Sequence, residues 1–235
     1  MPSNQIPITE KFKGQFVASP EELKNKLSKI KAFVFDWDGV FNNGQKNENA
    51  TSFFSEVDAM GTNLLRFNYF QRVHKIPYTA IISGENNSAA YTLAKREHFQ
   101  AIYYGIKYKA LALQHLCMTH HIKPEEVAFV FDDVLDLSMA AKCGLRIMVQ
   151  RACNPLLVDF SVENNMVDYI TAVDGQSHAV REAAELLMGL SDIYKYTIRA
   201  RLDYTEEYIA YLQNRNKATT VCYTAQAADI VEKQL

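Results

Sequence analysis

The chain reads as an α/β protein: a Rossmann-like three-layer sandwich with a mostly parallel central sheet. Two observations carry this reading. Short apolar runs alternate with amphipathic, helix-length stretches from residue 31 to about residue 170, the mark of successive β-α units. The runs are also continuously apolar, as in AFVF and VAFVF, which suits strands buried on both faces better than strands with one wet face.

In chain order, candidate strands cover residues 32–37, 78–82, 101–104, 127–131, 145–149 and 168–170, and candidate helices cover 62–73, 86–97, 109–119, 134–143 and 156–163. Two segments break the alternation. Residues 41–57 hold the turn signal Asn42-Asn43-Gly44, then polar residues, then the β-prone Thr51-Ser52-Phe53-Phe54, which predicts a β-hairpin flap after strand 1. From about Ser177 the pattern is helical through VREAAELLMGL and on to about Arg215, with tyrosines at 194, 196, 204, 208 and 211. The expected organisation is an N-terminal lead-in (1–30), one catalytic domain (31–190) and a helical C-terminal extension (191–235).

At 235 residues, 48% hydrophobic and 22% charged, the chain can bury one full core and does not have the composition of a disordered segment. A net charge of -2 supplies no long-range attraction to nucleic acid or to an anionic membrane surface. Cys117, Cys143, Cys153 and Cys222 form no C-x-x-C pair and no metal-ligand spacing with histidine; they read as reduced, small apolar residues. Without a signal-like apolar core or a run of ~20 apolar residues, the expectation is a soluble, cytoplasmic protein.

The chemistry begins in FVFDWDGVF, where Asp36 and Asp38 follow the first strand. Residues i and i+2 of an extended chain point the same way, so both carboxylates converge on the carboxyl edge of the sheet, where open α/β sheets bind ligands. Two like charges ~4 Å apart repel by about 4 kcal/mol at an effective dielectric of about 20, and magnesium, a hard cation held by few carboxylates, is the natural counter-ion. The bland alternative is that the pair caps a turn before Gly39. A second acidic group, Asp132, Asp133 and Asp136, follows VAFVF. In a parallel sheet it faces the first group. Asp132 reads as a metal ligand, whereas Asp133 is open to reading as a helix N-cap and Asp136 as an exposed first-turn acid. Ser83-Gly84 after the run Ile81-Ile82 is either a phosphate-holding turn at a helix N-terminus or an ordinary turn. In Gly105-Ile106-Lys107-Tyr108-Lys109, just before a helix, a lysine either neutralises a phosphate and the nucleophile together or is a solvated surface group.

In order and spacing, DWDGVF, IISG, Lys109 and FDDVLD resemble the four motifs of the haloacid dehalogenase superfamily of phosphohydrolases. FDWDGVFNNG, SEVDAMGTNLL, FVFDDVLDLSMAAKCGL and DYITAVDGQSHAVRE, together spanning about residues 31–188, are similar to the capless subgroup typified by 3-deoxy-D-manno-octulosonate 8-phosphate phosphatase. The resemblance implies a magnesium-dependent phosphomonoesterase acting on a small sugar phosphate, such as an eight- or nine-carbon keto-acid sugar phosphate, through an aspartyl-phosphate. It implies Asp36 as nucleophile, Asp38 as general acid/base, and Mg2+ on Asp36, the backbone carbonyl of Asp38 and Asp132. Ser83, Gly84 and Lys109 would then hold the phosphate, Asp133 and Asp136 would support the metal ligands, and a homotetramer would form through the flap. Asp58, Gly61 and His178 stand as substrate-contact candidates.

Several positions depart from that pattern. Phe131 replaces the glycine before the acidic pair and threatens to crowd the metal site. Glu85 and Val57 stand where the family has arginines, which disfavours an acidic substrate. The chain also continues well past Met188. These departures admit a second reading, a non-catalytic, oligomeric binding module on the same fold.

Overall fold

The structure, a computed structural model, describes residues 6–227 and 229–233; residues 1–5 of the expected lead-in, and residues 228, 234 and 235 of the expected extension, lie outside the described residues. In chain order the elements are α1 (Ile8–Lys11), β1 (Gln15–Phe16), α2 (Pro20–Leu27), β2 (Ala32–Phe35), α3 (Glu56–Val73), β3 (Tyr78–Ile82), α4 (Ser88–Arg96) and β4 (Ala101–Tyr104). They continue with α5 (Lys109–His120), β5 (Val127–Phe131), α6 (Leu137–Ala140), β6 (Leu145–Met148), α7 (Pro155–Glu163), β7 (Tyr169–Ile170) and α8 (Ala179–Leu190). The chain ends with α9 (Tyr194–Leu202), α10 (Glu206–Arg215), β8 (Val221–Gln226) and β9 (Asp229–Glu232).

Among the described residues the strands form one sheet in the order β1-β7-β6-β5-β2-β3-β4-β8-β9. Every pairing from β7 across to β8 is parallel, and only the outermost β1 and β9 run antiparallel. The strand order reverses between β2 and β5, because β3 and β4 continue to one side of β2 and β6 and β7 to the other side of β5. That switch point opens a crevice beyond the carboxyl ends of the two strands, where Asp36 and Asp132 lie.

Alternating residues of the strands feed two cores. Phe33, Phe35, Ala128 and Val130 pack with α2, α3, α4 and α8 on one face, while Ala32, Val34, Phe129 and Phe131 pack with α5, α6 and α7 on the other. This two-sided burial is why the strand sequences are apolar without interruption. It also corrects the expectation for Phe131. The side chain is fully buried in the second core and stacks on Phe129 with ring centroids 5.4 Å apart, whereas Asp132, one residue on, faces the cavity. Phe131 therefore supports the strand from beneath and does not crowd the acidic cluster.

Two other expectations are corrected. Residues 41–55 contain no strand; the segment is a looped-out excursion closed by Asn47 N–H donating to Thr51 O at 2.9 Å. Its side chains are held by the body of the protein instead of by a ladder, as described below for Ser52. The extension is helical only through α10. Residues 221–232 return as β8 and β9, with β8 pairing in parallel along β4 from Ala101↔Val221 to Tyr104↔Thr224. The β-branched and aromatic run Thr219-Thr220-Val221-Cys222-Tyr223-Thr224 is the local reason. Between these parts, Tyr208 and Tyr211 of the extension are buried against Phe67 and Phe70 of α3, while Tyr196 and Tyr204 remain exposed. The extension shares the sheet and a core cluster with the rest of the chain. No helix among the described residues is long and apolar enough to cross a membrane.

Candidate active site

Beyond the ends of β2, β3 and β5, a cavity of about 280 Å3 is lined by Asp36, Asp38, Ser83, Gly84, Lys109 and Asp132, together with Asp133, Asp136 and Arg151. Residues predicted from four separated motifs thus meet in one small cleft. Asp36 is fixed by its own backbone, whose N–H donates to Val130 O of β5 at 2.9 Å. Gly39 then turns the chain with φ +87, and a Cβ at that position would collide with Asp132 Oδ2. Only glycine provides both the left-handed conformation and the clearance.

Asp36, Asp132 and Asp136 are all buried, with carboxylate oxygens within 4.8 Å of one another. Lys109, buried at the start of α5, forms ion pairs with Asp36 and with Asp136. Asp136 Oδ2 also accepts the backbone N–H of Asp132 at 3.2 Å and of Asp133 at 3.1 Å, which folds the acidic turn around it. Arg151, in the loop after β6, places Nε 2.7 Å from Asp132 Oδ2. Three acidic side chains therefore face two protein cations at the floor of the cleft. Burial and the charge of Asp136, opposed by Lys109, push the Asp36 carboxyl up to about 6. Burial and the charges of Asp36 and Asp136, opposed by Arg151, push Asp132 up to about 9. Burial alone would lower Lys109, but Asp136 and Asp36 outweigh it and its pKa is raised. The protons held on these raised carboxyls occupy the place a divalent cation would fill, and Asp132 Oδ1 is buried without a hydrogen-bond partner. Hard oxygen donors with one free lone-pair site fit magnesium.

Asp136, expected as a supporting residue, contributes a carboxylate to the cluster itself. Asp38, expected to offer only its backbone carbonyl to the metal, turns its side chain to the flap: Ser52 Oγ donates to Asp38 Oδ1 at 2.5 Å, and Lys46 forms an ion pair with the same carboxylate. Asp133 caps the turn after β5, accepting from Val134 N at 2.7 Å, and lies at the cavity rim. Ser83 is buried and its Oγ accepts from Glu85 N at 3.2 Å, so the IISG segment forms a turn open to the cleft. Glu85 is ion-paired with Lys107, which offsets its negative charge.

The three substrate-contact candidates fall elsewhere. Asp58 is fully buried, accepts from Arg181 N at 2.9 Å, and lies 3.3 Å from His178 Nδ1; burial raises its pKa. Gly61 lets α3 approach α8, since a Cβ there would sit 3.1 Å from Arg181. Neither these two nor His178 lines the cavity; in this chain they fasten α3 to α8. Sequence reasoning missed Arg151, Lys46, Ser52 and Asn87. Arg151 stands just beyond a parallel strand, the same signal that marked Asp36 and Asp132. The other three are positioned only by the path of the looped-out segment and by the turn before α4.

No family model matches the chain. The 3-deoxy-D-manno-octulosonate 8-phosphate phosphatase of Escherichia coli (strain B / BL21-DE3) is 28% identical over 167 residues, 69% of this chain and 81% of that protein. The crystal structure of the enzyme of that name from Moraxella catarrhalis, in complex with magnesium ion, phosphate ion and KDO, superposes with a TM-score of 0.64 at 28% identity, covering 77% of this chain and 98% of that one. The Yersinia pestis enzyme of the same name superposes with a TM-score of 0.61 at 26% identity, covering 73% and 88%.

Proposed function

Taking the chain as a homologue of the haloacid-dehalogenase-superfamily phosphatases, we propose that it is a magnesium-dependent phosphomonoesterase of a small phosphorylated sugar, working through an aspartyl-phosphate on Asp36. The observation that carries this reading is the single cleft in which Lys109 links Asp36 to Asp136 beside Asp132.

In this reading Asp36, Asp132 and Asp136, with the backbone carbonyl of Asp38, hold the cation, which when bound offsets charge on the phosphoryl oxygens. Ser83, the Gly84 turn and Lys109 hold the phosphate. An Asp36 carboxylate oxygen attacks phosphorus as the ester P–O bond breaks, and Asp38, as general acid, passes a proton to the departing alkoxide. Asp38 then takes a proton from water, whose oxygen attacks the same phosphorus. Inorganic phosphate leaves and Asp36 is regenerated. Lys109 is preorganised for this chemistry, because its ammonium is held by two carboxylates before any substrate arrives. The relatives carry the name of an octulosonate 8-phosphate phosphatase, and a phosphorylated sugar of that size is our reading of the substrate. The looped-out segment and the first turns of α3 expose Phe53, Val57 and Met60. We assign this apolar face to contacts between copies, a homotetramer in which a neighbour closes the open cleft.

The test is hydrolysis of 4-nitrophenyl phosphate by the full chain, with and without Mg2+, beside Asp36→Asn. Expected is turnover that needs Mg2+ and falls on the order of 10³–10⁶-fold in the variant. Metal-independent turnover, or full turnover by Asp36→Asn, overturns the assignment.

A further inference from the structure

Arg151 has no place in the chemistry set out above, yet the fold makes room for it. Its guanidinium lies across two glycines of the segment that follows β2. A Cβ on Gly39 would collide with Nη2, and one on Gly44 would sit 3.1 Å from it. Both glycines hold positive φ, +87 and +81, and the arginine occupies the space their missing side chains leave.

The other cations around the cleft are each committed. Lys109 is held by Asp36 and Asp136, Lys46 by Asp38, and Lys107 by Glu85. Arg151 spends only Nε, on Asp132 Oδ2, and among the described residues no protein group accepts a hydrogen bond from its Nη atoms. A planar guanidinium with one edge anchored and its remaining donors facing a cavity is suited to take a carboxylate.

Topology brings this fork into the cleft from the β6 side, whereas the phosphate-holding groups enter from the other. Ser83 follows β3 and Lys109 follows the neighbouring β4, whereas Arg151 follows β6, with β5 and β2 between. At ~4.8 Å per strand, β6 and β3 are ~14 Å apart, and the Arg151 side chain spans part of that distance to reach Asp132 at the end of β5. Arg151, Ser83, Gly84, Lys109 and Asp36 line one cavity, so a substrate held by its phosphoryl group shares that cleft with the guanidinium. The relatives' named substrate is a phosphorylated sugar acid.

We infer that Arg151 is the specificity-determining residue of this site, binding a carboxylate on the sugar half of the substrate. The inference rests on the phosphatase reading above and deepens it.

The test compares inhibitors that differ in one group. Hydrolysis of 4-nitrophenyl phosphate by the full chain with Mg2+ is inhibited competitively by gluconate 6-phosphate or by sorbitol 6-phosphate, which differ only in a carboxylate against a hydroxymethyl group. Wild type is expected to bind the gluconate ester about 10- to 100-fold more tightly, the range of one charge-assisted pair. Arg151→Gln brings the ratio of inhibition constants close to one, whatever its absolute activity, and Arg151→Lys retains part of the preference because the charge stays and the fork is lost. A wild-type ratio near one overturns the inference, as does a ratio that survives in folded Arg151→Gln. Equal weakening of both inhibitors also overturns it, by moving Arg151 to the phosphate or the metal. If Arg151→Gln does not fold, the wild-type ratio and Arg151→Lys decide between these outcomes. Absence of any turnover by wild type is a different result, which removes the phosphatase reading and this inference with it.

Discussion

Trp37 Nε1 donates to Ser52 Oγ at 3.0 Å in a buried contact, so the indole between the two motif aspartates pins the looped-out segment to the end of β2. The same hydroxyl donates to Asp38 Oδ1 at 2.5 Å and accepts from Asn87 Nδ2 at 2.8 Å. One donor and both acceptor positions of the serine are used, and the carboxylate assigned to proton transfer is oriented by a residue fourteen positions away in sequence.

Ser52→Ala should therefore act on chemistry more than on binding. It leaves Asp38 with Lys46 alone and two buried N–H donors without acceptors, a loss of about 1–3 kcal/mol of stability. The expected kinetic outcome is a fall in kcat of about tenfold or more, with KM for 4-nitrophenyl phosphate changed much less. An unaltered kcat in a folded variant would remove Ser52 from the positioning of Asp38.

Metal binding should be strongly pH-dependent, and its sign follows from the raised carboxyls. Asp36 and Asp132 are pushed up to about 6 and about 9, so below these values the folded protein holds protons that a divalent cation must displace. Mg2+ affinity is expected to climb as pH rises from about 6 toward about 9, by at most about tenfold per unit for each proton released. Calorimetry in two buffers of different ionisation enthalpy measures both the affinity and the protons. An affinity flat across that window, with no proton release, contradicts the assignment of these carboxylates as ligands.

Asp136 offers a sharper test of which acids hold the ion. Asp136→Asn keeps an oxygen for the N–H groups of Asp132 and Asp133 but removes a charge from the cluster and one of the two partners of Lys109. Mn2+ binding followed by electron paramagnetic resonance is expected to weaken about 10- to 100-fold. Unchanged binding would return Asp136 to the purely supporting role that its position in the sequence suggested.

The strand-then-acid pattern made much of this site legible in advance. Asp36, Ser83, Lys109 and Asp132 each stand directly after, or one short turn beyond, a continuously apolar run, and parallel strands bring such positions to one rim whatever their separation in sequence. The same rule reaches Arg151, which follows β6, although a lone arginine carries no motif. Ser52 and Asn87 were not legible, because their places depend on how a loop without a ladder is drawn back over Trp37. Phe131 was misjudged for a simpler reason. Successive residues of a strand face opposite layers, so a bulky residue next to Asp132 belongs to the core beneath the cleft. The final strands were obscured because the tyrosine-rich helical pattern before them extends so far, although TTVCYT is itself a β-prone run.

The place of the extension in the fold can be measured at Tyr211. Its ring is fully buried against Phe67 and Phe70, and its hydroxyl donates to Asn63 O of α3 at 3.1 Å. Tyr211→Phe removes one buried hydrogen bond and should cost about 1 kcal/mol in denaturant unfolding. Tyr211→Ala adds a cavity beneath α3 and should cost about 3–5 kcal/mol, the range for truncating a large buried aromatic residue. Leu202, exposed on the same extension, is the control, and its replacement by alanine should stay within about 0.5 kcal/mol. Because α3 also carries Asp58 against α8, a single cooperative transition in which Tyr211→Ala lowers stability by this amount would place the extension in the same folding unit as the cleft. A cost below about 1 kcal/mol, or a separate early transition confined to the tail, would show that the catalytic layers fold without it.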